Sequence, residues 1–265
     1  MSDSRDVAGL SRQDRAELER RLLARRKPAA PAPVVPRRSP EAAAPLSFAQ
    51  QRLWFLQQLE PDSPAYRLAF AVRLGGVLSV EALTQALSEI VRRHETLRTV
   101  FVTAAHQPAQ RVLPAAPISL DVIDLGERPG VDAEREAVRL ASELAARPFD
   151  LAHGPLFRPT LLRLGAREHI LLISMHHIVS DIWSLGVFVR EMGALYEAFA
   201  AGRPSPLGEL PLQYADYAAW QREWWRGPVV EREMAYWKRQ LGGTLPILEL
   251  PTDRPRPAVQ TFRGA

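Results

Sequence analysis

The chain has no cysteine among its 265 residues. That excludes a disulfide framework, a thiolate metal site and a cysteine nucleophile. No run approaches the ~18 consecutive apolar residues that a membrane span needs. The polar, charged N-terminus lacks the apolar core of a signal peptide. No Gly-x-Ser-x-Gly elbow is present, so a serine hydrolase would lack its nucleophile signature. Glycine-rich phosphate loops and a helical His-x-x-x-His metal pair are missing as well. The expectation is a soluble, intracellular protein of the cytoplasm, with no metal site.

One more absence lies in the charge. The net charge is +4, from 34 Lys/Arg and 30 Asp/Glu. Up to Pro45 there are ten basic and six acidic residues, which leaves 24 of each for the remainder. The main body is therefore neutral, and the excess sits in an arm. A basic nucleic-acid footprint on the body is not expected. Arginine greatly outnumbers lysine, and alanine and proline are abundant, a composition typical of a GC-rich bacterial genome.

What is present divides into zones. Residues 1–27 read as a short amphipathic helical arm, with Ser11 as cap, Asp14 three residues on and a narrow stripe of Leu18, Leu22 and Leu23. Such a segment is either a marginal solvated helix or a docking helix for another polypeptide. Residues 28–45 carry six prolines and read as an extended, semi-rigid linker. Residues 46–241 form the globular part, and residues 242–265 are a Pro-rich tail without an obvious element.

Within the globular part, Ser47 and Gln50 predict a capping box that opens a helix running to about Leu59. Tyr66, Leu68, Phe70, Val72 and Leu74 alternate with Arg67, Ala69, Ala71 and Arg73, which predicts a strand with one apolar face. Ser79 opens a helix carrying Leu83, Leu87, Ile90 and Val91. Strands are predicted at Leu97–Val102, Gln110–Leu113 and Ile118–Leu125, then a helix over Val131–Ala146. A hairpin of Leu156–Leu164 with Glu168–Met175 follows. Helices at Ser184–Ala201, Gln213–Arg226 and Val229–Leu241 complete the pattern. Interleaved helices and strands imply a mixed sheet covered by helices.

Met175-His176-His177-Ile178-Val179-Ser180-Asp181 stands where the apolar run from His169 to Met175 gives way to a helix. Successive strand side chains face opposite ways, so His176 and His177 cannot both address one site. That disfavours a metal site and assigns one histidine to structure and one to a cavity. Asp181 stands where an N-cap belongs. A neutral histidine at a strand end can serve as a general base, and without a covalent nucleophile it suits direct acyl transfer to an amine or hydroxyl. Trp54, Trp220, Trp224, Trp225 and Trp237 read as helix packing and His94 as structural. His106, His153 and His169 read as loop or surface residues, and Arg92 and Arg93 as a solvated helix end.

Four ordered segments resemble the condensation domain of nonribosomal peptide synthetases, in the chloramphenicol acetyltransferase-like superfamily. The first is Ser47-Phe-Ala-Gln-Gln-Arg52-Leu-Trp54-Phe-Leu56. The second is Arg93-His94-Glu95-Thr-Leu-Arg98-Thr-Val-Phe101, the third Met175 to Asp181, and the fourth Tyr214-Ala-Asp216-Tyr-Ala-Ala-Trp220. Pro148-Phe-Asp150-Leu and Gly154-Pro-Leu are also similar to the family. The resemblance runs from Leu46 to the last residue, and Leu250 to Pro257 is similar to the crossing point between the family's two lobes. It implies an α/β fold of the α+β sandwich kind: a mixed sheet flanked by helices, one lobe of the usual two. The chain is expected to be a fragment or truncated product, with an apolar surface where the second lobe packs.

The resemblance further implies amide formation between a carrier-bound acyl or peptidyl thioester and a carrier-bound aminoacyl amine. No cofactor would be bound directly, because both substrates hang on phosphopantetheine arms of carrier proteins. The partners would be upstream and downstream peptidyl carriers, the second lobe and neighbouring synthetase domains, with neither nucleic acid nor membrane. His177 would be the catalytic residue, either taking a proton from the amine or positioning it and stabilising the tetrahedral intermediate. His176, Asp181 and Arg98 would support it, Asp181 through an ion pair with Arg98 or else Arg52. Ile182 and Ser184 would line the tunnel. The family has glycine where Ile182 stands, so either the turn is built differently or Ile182 narrows the tunnel. The order Trp183-Ser184 fits condensation rather than the epimerisation relatives, and the first two motifs lean toward the subtype joining two L-residues. Two alternatives stand beside this reading: a non-catalytic docking or scaffold module, and an acyltransferase for a small free amine or alcohol.

Overall fold

The computed structural model describes residues 34–39, 44–104, 106–126, 132–246, 248 and 250–255. Contacts divide the chain into Met1–Val35 and Pro36–Ala265, and every element below belongs to the second unit. The expected helical arm lies outside the described residues.

The expected linker ends in structure. Ala44–Pro45 form a short strand, β1, paired antiparallel with Ala109 and Gln110. Arg38 also holds to the folded body, its backbone N–H donating to Asp216 at 3.1 Å and its guanidinium to Glu95 at 2.9 Å. Prolines stiffen the segment but do not stop it from docking at its C-terminal end. Pro45 lacks an N–H, and such a residue is tolerated on an edge strand.

Ser47 opens α1 (Phe48–Leu59) with the capping box its sequence predicts: the hydroxyl accepts from the Gln50 N–H, and Gln50 accepts from the Ser47 N–H. β2 (Arg67–Gly75) alternates as expected, with Leu68, Phe70, Val72 and Leu74 turned inward. Ser79 caps α2 (Val80–Arg93), and a 3-10 turn at Glu95–Arg98 follows. β3 (Thr99–Ala104) and β4 (Gln107–Val112) form a hairpin. β5 (Asp121–Asp124) precedes α3 (Ala133–Ala146). The hairpin of β6 (Phe157–Gly165) and β7 (Glu168–His176) leads to α4 (Ile182–Ala200). α5 (Tyr214–Trp224) and α6 (Pro228–Leu241) complete the described elements.

Two sheets form where the pattern predicts one mixed sheet. The smaller has the order β1-β4-β3, and the larger β2-β7-β6-β5. The larger is mixed, since β5 runs parallel to β6 while its other pairs are antiparallel. β7 is central and covered on both faces. On one side Leu171, Ile173 and Met175 meet Leu83, Leu87 and Ile90 of α2 and Phe188 and Leu195 of α4. On the other, α3 packs Ala137 against Leu162 and Leu125. That explains its near-continuous apolar run. His169, expected at the surface, lies in β7 and is only 4% exposed.

A third cluster ties the small sheet to the end of β7: Leu46, Leu53, Phe101, Phe149, Leu151 and Leu156 pack on Ile178 and Val179. The stretch after the two histidines is therefore core. Ile173 is fully buried between α2 and α4. Ile173→Ala is expected to cost about 2–5 kcal/mol by removing buried methylenes and leaving a cavity. A denaturant midpoint measured against the parent checks this.

Candidate active site at the end of β7

β7 ends at His176, and both histidines are pinned through their backbones. The His176 N–H donates to the Leu156 carbonyl at 3.2 Å and the His177 N–H to the Tyr66 carbonyl at 2.8 Å. Their side chains diverge, as strand alternation requires.

His176 is 1% exposed. The Ile178 N–H donates to its Nδ1 at 3.0 Å, so that nitrogen carries the lone pair. Its Nε2 then holds the hydrogen and donates to Gln57 Oε1 at 3.3 Å. The Phe149 ring packs edge-on against the imidazole, with centroids 6.1 Å apart. Burial, with smaller contributions from His177 and Arg67, pushes the His176 pKa down to about 4.

His177 holds the opposite tautomer. Its Nδ1 lies 2.6 Å from the Ser180 carbonyl oxygen. A carbonyl only accepts, so Nδ1 carries a hydrogen, and in the neutral ring Nε2 is the nitrogen left with the lone pair. No described residue hydrogen-bonds that Nε2. The ring is half-buried. An imidazole held through Nδ1–H with Nε2 left unengaged is the arrangement a proton acceptor requires.

Asp181 is the N-cap of α4. Its carboxylate accepts from the Ser184 N–H at 2.8 Å and hydroxyl at 2.6 Å, and the Ser184 hydroxyl accepts from the Asp181 N–H at 3.3 Å. The Ser184 hydroxyl, then the Ser184 backbone N–H, hold the carboxyl below its ordinary range, with His177 adding a smaller attraction. The expected ion pair to Arg98 or Arg52 is not formed. Arg98 donates to the Leu113 carbonyl and lies 3.9 Å from Glu95, and Arg52 is exposed. The cap geometry takes the carboxylate because two donors of its own helix lie closer than any guanidinium.

Ile182 is the first residue of α4 and is 84% exposed. His106 is the one non-glycine residue at positive φ among the described residues, so Ile182 carries no strain of that kind. A helical N1 position accepts a β-branched residue, which removes the need for glycine. Trp183, 81% exposed, stands beside it. Ser184 and Trp183 line a cavity of about 150 Å³ together with Met175, Val179, Ser180 and Phe188. His177 is not among its walls. A larger cavity, about 710 Å³ along α2 and the 115–117 loop, also lacks any residue of the histidine segment.

Arg93, expected in solvent, is 4% exposed and buried against Glu191 and the carbonyls of Leu207 and Gly208. Burial pushes the Glu191 carboxyl up, but bonds from Arg93 and His94 outweigh it and hold it low. His94 donates to Glu191 at 2.8 Å, a structural role as expected. Trp237 departs from its expected packing role and is 54% exposed, whereas Trp220 and Trp224 stack 5.4 Å apart.

The four motifs bind one another. Gln50 reaches the Ile178 carbonyl at 3.4 Å and Thr96 the Val179 carbonyl at 3.4 Å. The Ser47 hydroxyl meets the Tyr214 hydroxyl at 3.0 Å. Gln213 donates to the Arg93 carbonyl at 2.9 Å, and buried Asp216 accepts from the Gln213 N–H at 2.8 Å. Sequence reasoning missed Gln57 altogether, and of Gln50 it found the capping box but not the bond to Ile178. They share the buried face of α1 with Leu53, and two glutamines seven apart on an inward face are the signal that would have found them.

The condensation-domain family profile matches residues 41–265. The chain belongs to the condensation-domain family. A component of the linear gramicidin synthase of Brevibacillus parabrevis is 52% identical over 85% of this chain, which covers 3% of that protein. The phosphinothricin tripeptide synthetase of Streptomyces viridochromogenes is 42% identical over 98% of this chain and 24% of its own length. Among solved structures, the X-domain from teicoplanin biosynthesis matches with a TM-score of 0.73 at 33% identity, over 86% of this chain and 49% of that one. The first condensation domain of the calcium-dependent antibiotic synthetase, bound to a substrate analogue, matches with a TM-score of 0.66 at 28% identity, over 76% and 48%. This condensation-domain chain therefore spans about half the length of the solved structures it matches and a small part of the synthetases. The family resemblance of the four motifs and the expected fold class are both borne out.

Two consequences follow from the geometry. Asp181→Ala is expected to cost about 0.5–2 kcal/mol, the loss of a helix cap, not the ~3–5 kcal/mol of a broken buried ion pair. A double-mutant cycle of Asp181→Ala with Arg98→Ala checks this and should be additive to within about 0.5 kcal/mol. His176 is neutral when folded down to about pH 4 but titrates near 6.5 when unfolded. Its folded value is depressed, so the stability it contributes is present above 6.5 and lost as pH falls toward 4. The loss amounts to about 3 kcal/mol. His176→Gln should flatten that part of the stability–pH profile, read by denaturant midpoints from pH 7 to 4.

Proposed function

We propose that this chain is the histidine-bearing lobe of a nonribosomal peptide synthetase condensation domain. In this reading an acyl or peptidyl thioester on one carrier protein is attacked by the amine of an aminoacyl thioester on another. The N–C bond forms and the C–S bond breaks. The proton lost by the amine passes to His177 Nε2 and on to the departing thiolate. Alternatively the same nitrogen orients the amine and stabilises the tetrahedral intermediate. The observation that carries the reading is the Nδ1–H bond to the Ser180 carbonyl, which leaves Nε2 as an acceptor.

His176 and Asp181 support the site, Asp181 as a helix cap rather than as an ion-pair partner of Arg98. Ile182 and Ser184 stand at the wall of the tunnel that a second lobe would complete. Phosphopantetheine arms bring both substrates, and this lobe binds no cofactor of its own. Its partners are the two peptidyl carriers and the neighbouring synthetase domains, with no role for nucleic acid or membrane. The setting is the cytoplasm of a bacterium. No helix among the described residues is long and apolar enough to cross a membrane, and no cluster there is suited to a metal ion.

A binding role without catalysis has one specific support. The teicoplanin X-domain, 33% identical with a TM-score of 0.75, was solved as a complex with OxyB.

The test joins this chain to the other half of a condensation domain and supplies aminoacyl thioesters on two carrier proteins. His177→Ala is expected to lower dipeptide formation by about 10²–10⁴-fold. Unchanged turnover in that variant would remove the catalytic assignment. A parent without turnover that still retains a partner domain favours the binding role. Equal use of a free amine and a soluble thioester favours the small-substrate acyltransferase.

A further inference from the structure

We infer that Gln57, on α1, is a positioning residue for His177 and acts through His176. The inference rests on the reading of His177 as the group that handles the amine proton.

Each bond along this path leaves the next group a single choice. The Gln57 amide nitrogen donates to the Pro61 carbonyl at 2.8 Å. A carbonyl only accepts, so the amide cannot be flipped and its oxygen must face His176. That oxygen accepts from His176 Nε2 at 3.3 Å. The hydrogen is thereby held on Nε2, and Nδ1 is left as the acceptor for the Ile178 N–H at 3.0 Å. Ile178 follows His177, so this bond orients the peptide that carries His177 out of β7. In the other tautomer, His176 would aim an N–H at the Ile178 N–H, with two buried donors face to face. The His177 backbone is held from its other side by the Tyr66 carbonyl at 2.8 Å. Its ring is thus aimed at the Ser180 carbonyl from a peptide fixed at both ends. The titratable and charged groups around this path are Asp181, which feels His177, and Arg67, which faces His176.

A packing role alone would ask only for a side chain of the right volume. Gln57 is 9% exposed, and its two polar ends are both engaged in directional bonds. The site is therefore built around the position of its oxygen.

The test reads imidazole nitrogens directly. Long-range proton–nitrogen spectra of the 265-residue chain, assigned with His176→Gln and His177→Gln, should show His176 as the Nε2–H tautomer and His177 as the Nδ1–H tautomer. A parent spectrum with His176 protonated on Nδ1 overturns the inference, whatever the variants do. Gln57→Met keeps the volume and removes the acceptor. It should mix the His176 tautomers, shift the His177 nitrogens and lower kcat in the joined-lobe assay about ten- to a hundredfold, with KM little changed. Gln57→Glu keeps an acceptor for His176 Nε2 and should favour the parent tautomers, at a cost in stability because a carboxylate oxygen then faces the Pro61 carbonyl. Parent-like tautomers and turnover in Gln57→Met overturn the assignment. The spectra need no turnover, so an inactive parent would count against the proposed function and leave the tautomers to decide the role of Gln57.

Discussion

A strand covered on both faces has to end somewhere, and the way β7 ends sets the rest of this site. Leu171, Ile173 and Met175 face α2 and α4, and the opposite face of the sheet lies under α3. Most of that strand is shut off from water, so its backbone groups and those of the next few residues must be satisfied internally. Tyr66 and Leu156 take the two histidine N–H groups, while Gln50 and Thr96 take the carbonyls of Ile178 and Val179. These partners come from well-separated parts of the chain. The first two motifs, which stand apart in sequence, thus supply hydrogen bonds to one turn of the third.

Within that turn, two adjacent residues of one type do opposite things. His176 has lost water and is held neutral, and its pKa of about 4 keeps it so across the ordinary range. His177 keeps partial access to solvent and an unengaged nitrogen. Identical side chains diverge because strand geometry sends one inward and the other out, and because each ring meets a different first partner. The partner of His176 is a backbone donor, and that of His177 is a backbone acceptor. Complementary partners select complementary tautomers.

Asp181 shows magnitude choosing between two structural roles. An ion pair with a distant arginine would need two charged groups to leave water, which costs several kcal/mol unless the geometry is very good. Capping asks less, because Ser184 lies within the same helical turn and supplies both a hydroxyl and an N–H. Arg98, released from that role, lies against a main-chain carbonyl and the Glu95 side chain. Buried Arg93 does keep a carboxylate, Glu191, and with it the C-terminal end of α2 is tied to α4.

The elements themselves were legible in the chain because local chemistry makes them. Ser47 with Gln50, Ser79 and Asp181 start helices through bonds spanning three residues, and the alternation of Leu68 to Leu74 turns one face of β2 inward. The divergence of the two histidines and their place at a strand end followed from strand period alone. Tertiary structure decided whatever depends on residues far apart in sequence. It put β3 and β4 in a sheet of their own and docked Ala44–Pro45 on its edge. It buried Arg93 and His169 and left Ile182 in the open. It also brought Gln57 to His176 across 119 positions. Periodicity reports which way a side chain faces, but not what it meets there, because a partner's position is set by the packing of the whole fold.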